Sequence, residues 1–179
     1  LNFEKWWGGF FMMNDDEIHY IVRNLFVGNK LERGELELNE GRKLSMKDIE
    51  SPILVFASMG DNITPAQQAL NWIPRVYSSV EDIKRHGQVI VYIVHQEIGH
   101  LGIFVAGSVA KKEHREIIGN FDMIDCLPPG LYEMVIDGDV ASGKFESRFE
   151  PRTMADIAAY DDGIQDEKDF SVVAKVSEA

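Results

Sequence analysis

Hydrophobic residues along this chain form two patterns, short unbroken runs and positions repeated at helical spacing. The unbroken runs, Ile53–Ala57 and Val89–Val94, consist of β-branched and other apolar residues. Their length and composition are typical of strands buried on both faces of a parallel sheet. Each run is followed by a glycine-containing turn and then by helix signals. This alternation predicts an α/β fold, in which a mostly parallel sheet is flanked by helices.

The predicted helices begin at capping residues and end at glycine or proline. Asn14 precedes three acidic residues and the apolar face of a helix that ends at Gly28. Pro65 suits the first position of a helix, and Pro74 should end that helix because proline lacks an N–H group. The predicted helices cover residues 15–27, 65–73, 80–84, 109–123 and 153–160.

The pattern changes after Pro128, where two strand-like segments follow one another. Leu131–Ile136 and Lys144–Phe149 predict a strand pair, with a turn at Asp137–Asp139. We therefore predict two parts of the chain. These are an α/β part over residues 1–127, and an appended α+β segment over 128–179 that contains the strand pair and an acidic linker at 161–169.

Composition and charge exclude several classes of protein. With 45% hydrophobic and 27% charged residues, the chain is globular rather than disordered. A net charge of −12 argues against nucleic acid or anionic lipid as a partner. No apolar run approaches the roughly 18–20 residues that span a bilayer, and no signal peptide is recognisable. The single cysteine, Cys126, excludes an internal disulfide, favours the cytoplasm, and is expected to be buried.

The start of the chain carries a dense apolar cluster. Trp6–Met13 contains two tryptophans, two phenylalanines and two methionines. Such a cluster would be a liability in water, so we expect a partner to cover it. The expected partner is upstream sequence of the same protein or a second copy of the chain.

Two ionisable residues follow the two buried strands. Asp61 stands in a Gly-Asp-x-x-x-Pro turn after the first strand, and His100 lies between Gly99 and Gly102 after the second. A histidine at the carboxyl edge of a sheet can serve as general base, and a carboxylate on its other nitrogen fixes the ring. The order Asp then His is that of the last two triad members in α/β-hydrolases. The alternatives are a structural loop histidine and an Asx turn that only orders its loop.

Several segments carry a resemblance to a known family. Asn29–Leu36, Met46–Pro65 and Ile98–Gly102 resemble polyhydroxyalkanoate synthase, most closely a bacterial poly(3-hydroxyalkanoate) synthetase-like branch. Leu127–Ile136 and Arg148–Thr153 resemble that branch alone. The resemblance implies the C-terminal portion of an α/β-hydrolase fold and acyl transfer from a coenzyme A thioester through a cysteine. By the same resemblance, Asp61 and His100 match the orienting acid and the base.

The chain departs from that family in having no nucleophile motif. Neither Gly-x-Ser-x-Gly nor Gly-x-Cys-x-Gly occurs, and Cys126 follows His100, which is the wrong order. We therefore expect a fragment of an acyltransferase or hydrolase, inactive alone, whose substrate is an acyl-thioester or ester. The alternatives are a non-catalytic scaffold that binds a partner and a fragment of a serine esterase.

No cofactor and no metal is expected. His95 and His100 are five residues apart, whereas the zinc motif His-Glu-x-x-His needs a spacing of four on one helix face. We expect His95 and Glu97 to line the mouth of the site or to be solvated.

Overall fold

The computed structural model describes residues 5, 9, 12–38, 41–139, 143–161, 171–172 and 175–176. It divides the chain into two compact units. The first consists of Leu1–Ser45 together with Gln165–Ala179, and the second is Met46–Ile164. The predicted acidic linker, apart from Asp161, lies outside the described residues, as do the tryptophans and phenylalanines of the terminal cluster.

The first unit begins with the helix that Asn14 was expected to cap. Helix α1, Asp15–Ile21, has a capping box in which Asn14 and Glu17 each bind the other's backbone amide. It continues as a π-helical segment, Val22–Val27, and ends at Gly28 as predicted. The short strands β1 (Leu36–Glu37) and β2 (Lys43–Leu44) then pair antiparallel.

The second unit is built on a four-stranded mixed sheet with the order β3-β4-β5-β6. The strands are β3 (Ile53–Ser58), β4 (Val89–His95), β5 (Gly130–Asp139) and β6 (Lys144–Pro151). The pairs β3–β4 and β4–β5 are parallel, whereas β5–β6 is antiparallel. Two of the three pairings therefore agree with the predicted mostly parallel sheet.

Helices connect and flank these strands. After the 3₁₀ turn Met46–Asp48 they are α2 (Ala66–Leu70), α3 (Trp72–Val76), α4 (Val80–Arg85), α5 (Gly102–Val105), α6 (Gly107–Val109), the π-helical segment Ala110–His114, α7 (Arg115–Gly119), α8 (Phe121–Asp125) and α9 (Met154–Ala158). No helix in the described part of the chain is long and apolar enough to cross a bilayer.

The core lies on both faces of β4, as its composition predicted. Ile90 and Tyr92 pack in one cluster with residues of α3, α4 and α9, while Val91 and Ile93 pack in another with Ile124. Burial of each such side chain is worth roughly 1.5–3 kcal/mol. Because β4 contributes to both clusters, it is held on both faces, and its carboxyl end is a well-ordered position for a site.

Three predicted boundaries differ from the structure. Pro74 does not end a helix but lies in the first turn of α3, where backbone N–H groups have no helical partner to lose. The helix predicted over 109–123 begins earlier, at Gly107, and is interrupted at Asn120. The strand pair is present, but Asp137–Asp139 belongs to β5, with Asp139 paired to Lys144, so these three residues do not form the predicted turn.

The division of the chain does not fall near Pro128. The strand β5 that follows it pairs in parallel with β4, so the segment after Pro128 continues the sheet instead of being appended to it. The second compact unit runs from Met46 to Ile164 without a break at this point. This pairing joins residues about 40 positions apart, and a local sequence pattern carries no signal for it.

Candidate active site

The loops after β3 and β4 lie at the same edge of the sheet. The two strands are parallel neighbours, with Ser58 opposite His95 at their carboxyl ends. The amide of Met59 donates to the His95 carbonyl oxygen at 2.8 Å, which holds the first residues of the loops together. Asp61 and His100 follow within a few residues. The prediction that they share one sheet edge is therefore confirmed.

The side chains of Asp61 and His100 form a hydrogen-bonded pair. Nδ1 of His100 lies 2.9 Å from Oδ2 of Asp61. Asp61 is buried, with 2% of its surface exposed, whereas the His100 side chain is 34% exposed. A buried carboxylate therefore orients a ring that is about one third exposed to solvent.

Each oxygen of the Asp61 carboxylate has a different task. Oδ1 accepts from the amides of Ile63 at 2.9 Å and Thr64 at 3.0 Å, which makes an Asx turn. Oδ2 accepts from the Thr64 hydroxyl at 2.7 Å and faces His100. The Asx turn weighed as an alternative is thus present together with the histidine pair, because one carboxylate forms both.

These contacts set the charge of Asp61. Burial raises the pKa of its carboxyl group, but hydrogen bonds from Thr64, His100 and Ile63 favour the ionised form more strongly. The net effect holds the pKa of Asp61 well below its usual value. Asp61 is therefore an anion at neutral pH and can stabilise a positive charge on the His100 ring.

The surroundings of His100 fix which ring nitrogen carries the proton. The Thr64 hydroxyl donates to Asp61, so its oxygen, 3.1 Å from Nδ1, is also an acceptor for the ring. Nδ1 then faces two acceptors and carries the proton, which leaves Nε2 bare in the neutral ring. Among the described residues, Nε2 has no hydrogen-bond partner. This nitrogen is free to take a proton from another group.

A second set of contacts, which the sequence reasoning missed, holds the two loops against each other. The buried Ser58 hydroxyl donates to the Ile98 carbonyl oxygen at 2.6 Å and accepts from the Gly60 amide at 3.2 Å. A β-carbon on Gly60 would lie 2.4 Å from the Glu97 carbonyl oxygen, so only glycine fits there. The Gly-Asp sequence was the one local sign of this close approach.

His95 lies at the carboxyl end of β4 but faces the loop backbone. Its Nδ1 lies 3.1 Å from the Glu97 amide and 3.2 Å from the Ile98 amide. The alternative that His95 is solvated is therefore wrong, since its side chain is only 24% exposed and bound to the loop. The other alternative, that it lines the mouth of the site, stays a prediction.

Cys126 is exposed, so the prediction of a buried cysteine is also wrong. It follows the short helix α8, whose buried residue is Ile124. No group of three or more metal-ligating side chains occurs within the described residues.

Comparison with known proteins identifies the family of this chain. Residues 1–179 match the family model described as "Protein of unknown function (DUF3141)". The chain is also 49% identical over 187 residues to the "Uncharacterized protein in ackA 5'region" of Rhizobium meliloti, covering 99% of this chain and 26% of that protein. The chain thus spans about a quarter of the length of this curated relative. No solved structure matches it. Because the family model covers all of its residues, the chain belongs to the DUF3141 family.

Proposed function

We propose that this chain supplies the orienting acid and the general base of an acyl-transfer or hydrolytic site of the α/β-hydrolase type, similar to polyhydroxyalkanoate synthase. Asp61 is the acid, His100 is the base, and the nucleophile comes from outside these 179 residues. The observation that carries the proposal is the 2.9 Å contact between a buried Asp61 and the partly exposed ring of His100.

The pair would act in two proton transfers. Nε2 of His100 takes the proton from a cysteine or serine nucleophile as that group attacks the acyl carbonyl carbon. The resulting imidazolium then gives its proton to the leaving thiol or alcohol. The Asp61 anion stabilises the imidazolium in between and keeps Nε2 directed away from its own oxygens.

An unpaired strand supports a second protein segment beside the site. Within the described residues of the second unit, β3 pairs with β4 alone, and its other edge has no strand partner. The strand contains no charge and no proline, and Ile53–Phe56 are only partly buried. Such an edge is a site for strand addition. The proposed partner is upstream sequence of the same protein, with a second copy of this chain as the other possibility.

Exposed apolar side chains on the two loops are consistent with an acyl substrate. Met59 and Ile63 flank Asp61 in sequence, and Phe104 follows His100 in α5; each is more than half exposed. We infer an acyl-thioester or ester as the substrate class. The lone cysteine, in a chain without an internal disulfide, leads us to place the protein in the cytoplasm.

A non-catalytic scaffold is the second candidate. It is favoured by the Asx turn at Asp61 and the Ser58 contact, which would order the two loops even if no chemistry took place. A scaffold would not need a bare nitrogen on His100, whereas a base requires one.

The test compares the full-length gene product with the 179-residue chain, using an acyl-thioester and a simple ester as substrates. We expect turnover by the full-length protein and none by the chain alone. His100→Ala in the full-length protein should lower the rate by about 10²–10⁴-fold. His19→Ala, which changes an exposed histidine of α1, should not.

Besides an inactive full-length protein, two results would overturn the proposal. Full-length activity that is unaffected by His100→Ala would favour the scaffold. Turnover by the isolated chain that His100→Ala abolishes would place a nucleophile inside these residues.

A further inference from the structure

His95 is bound to the backbone of the loop that leads to His100. Its Nδ1 faces two amide N–H groups, those of Glu97 and Ile98. Two donors directed at one nitrogen require that nitrogen to be an acceptor, so the His95 ring is neutral and carries its proton on Nε2.

A buried carboxylate lies on the side of the ring that carries this proton. Oε1 of Glu113, in the π-helical segment Ala110–His114, is 3.9 Å from Nε2 of His95. Glu113 is 4% exposed, and Nζ of Lys112 lies 3.4 Å from the same oxygen. The contact with His95 is longer than a hydrogen bond but favours the Nε2–H form of the ring, which agrees with the two amides on Nδ1.

The two amides belong to the turn that delivers His100. The peptide groups around Ile98 are held from two directions, since its N–H binds His95 and its carbonyl oxygen binds the Ser58 hydroxyl. His100 comes two residues later and reaches Asp61. The path of the turn between β4 and His100 therefore depends on His95 at one side and on Ser58 at the other.

We propose that His95 is a positioning residue for His100. Its bare Nδ1 anchors the Glu97 and Ile98 amides, and this anchoring sets the turn that brings the His100 ring to Asp61. The catalytic meaning of this role rests on the proposed function, but the positioning itself is a property of the 179-residue chain.

The test uses two variants that place a polar group at different ends of the ring. His95→Asn puts an amide oxygen close to the position of Nδ1, whereas His95→Gln puts its amide near the position of Nε2. The readouts are the ring N–H resonance of His100 and the exchange rates of the Glu97 and Ile98 amides, both by NMR. His86→Gln is the control, because the His86 Nδ1 contacts a carbonyl oxygen of α4, that of Asp82, at 2.8 Å.

We expect His95→Asn to keep the His100 resonance and the slow exchange of both amides. His95→Gln should broaden or remove that resonance and accelerate the exchange of both amides about tenfold, the effect of one lost hydrogen bond. The control should match the wild type. In the wild-type chain, nitrogen shifts should give His95 protonated on Nε2 and His86 on Nδ1.

The proposal is overturned if His95→Gln, folded, keeps the wild-type His100 resonance and amide exchange, or if His95 is protonated on Nδ1. If His95→Gln does not fold, the proposal is tested by the tautomer of His95 in the wild-type chain and by the His100 resonance and amide exchange of His95→Asn. These results do not depend on turnover. An inactive full-length protein would defeat the proposed function and leave the positioning role intact.

Discussion

Two buried aspartates of the unit Met46–Ile164 each contact a histidine, but their surroundings differ. Asp61 faces His100 across two loops, with 2.9 Å between Oδ2 and Nδ1. Asp82 lies in α4, where His86, one turn later, is 3.4 Å from Oδ1. Both carboxylates are ionised, since hydrogen bonds lower the pKa of each.

The difference lies in what else neutralises the carboxylate. Asp82 also binds Lys47 at 2.9 Å and Arg85 at 3.4 Å, so its charge is already balanced by two cations. Within the described part of the chain, Asp61 has no ion pair with lysine or arginine. A proton arriving on His100 would therefore complete the only ion pair of Asp61 there, whereas one on His86 would add to a balanced cluster. Proximity of Asp and His alone does not make an acid–base pair.

The largest contrast should come from replacing each aspartate by asparagine in the full-length gene product. Asp61→Asn should lower kcat by about 10⁴-fold, because an amide no longer stabilises the imidazolium or fixes its tautomer. Asp82→Asn should lower the thermal stability and leave kcat nearly unchanged. The comparison breaks if both variants lose activity in proportion to their loss of stability.

Replacing a glycine near each aspartate by alanine should lower the free energy of unfolding by different amounts. Gly60→Ala would bring a β-carbon within 2.4 Å of the Glu97 carbonyl oxygen, so we expect about 1–3 kcal/mol lower free energy of unfolding. Gly87, next to His86, has open space around it but a φ of +67°. Gly87→Ala should therefore lose only about 1 kcal/mol. Urea unfolding of the 179-residue chain measures both values.

The hydroxyl beside each aspartate gives a smaller contrast. Thr64→Val removes a 2.7 Å hydrogen bond to a buried anion, which is worth about 1.5–3 kcal/mol of stability. Ser78→Ala removes a 3.5 Å contact to Asp82, and we expect its effect to be within about 0.5 kcal/mol. Thr64→Ser, which keeps the hydroxyl, is the matched control. A loss of stability in Thr64→Ser but not in Thr64→Val would mean that the methyl group, not the hydroxyl, matters.

The smallest differences between the two aspartates are expected in how stability depends on pH and on salt concentration. Both folded-state pKa values are depressed, so the stability from each carboxylate is present above the unfolded pKa of about 3.9 and is lost as the pH falls below it. Asp61→Asn should weaken this pH dependence of the free energy of unfolding at any ionic strength. The corresponding effect of Asp82→Asn should be smaller in 1 M salt, because salt screens the pairs with Lys47 and Arg85. Chemical unfolding between pH 2 and 6 provides the measurement.

The sequence allowed the strands and the edge that holds the site to be predicted, but not the contacts that shape it. Runs of β-branched residues identified β3 and β4, and parallel strands with polar residues after them placed Asp61 and His100 together. The contacts that Thr64, Ser58 and His95 make around the site were not recognised. Ser58 binds a backbone group 40 positions away, and His95 binds its own loop only because the turn folds back on it.

The continuation of the sheet past Pro128 was missed for a related reason. Leu131–Ile136 was correctly predicted as part of a strand pair, yet its parallel pairing with β4 is a long-range contact. Local patterns specify the type of an element but not its neighbours in the sheet.

The central claim is that His100, and no other histidine near a buried aspartate, acts as the base. The most direct test is a single-turnover experiment on the full-length gene product with an acyl-thioester as the substrate. Rapid-quench measurements give the rate at which the acyl-enzyme forms. We predict that His100→Ala slows this step by at least about 100-fold and that the matched variant His86→Ala leaves it unchanged. Equal acylation rates in the wild type and His100→Ala would contradict the account.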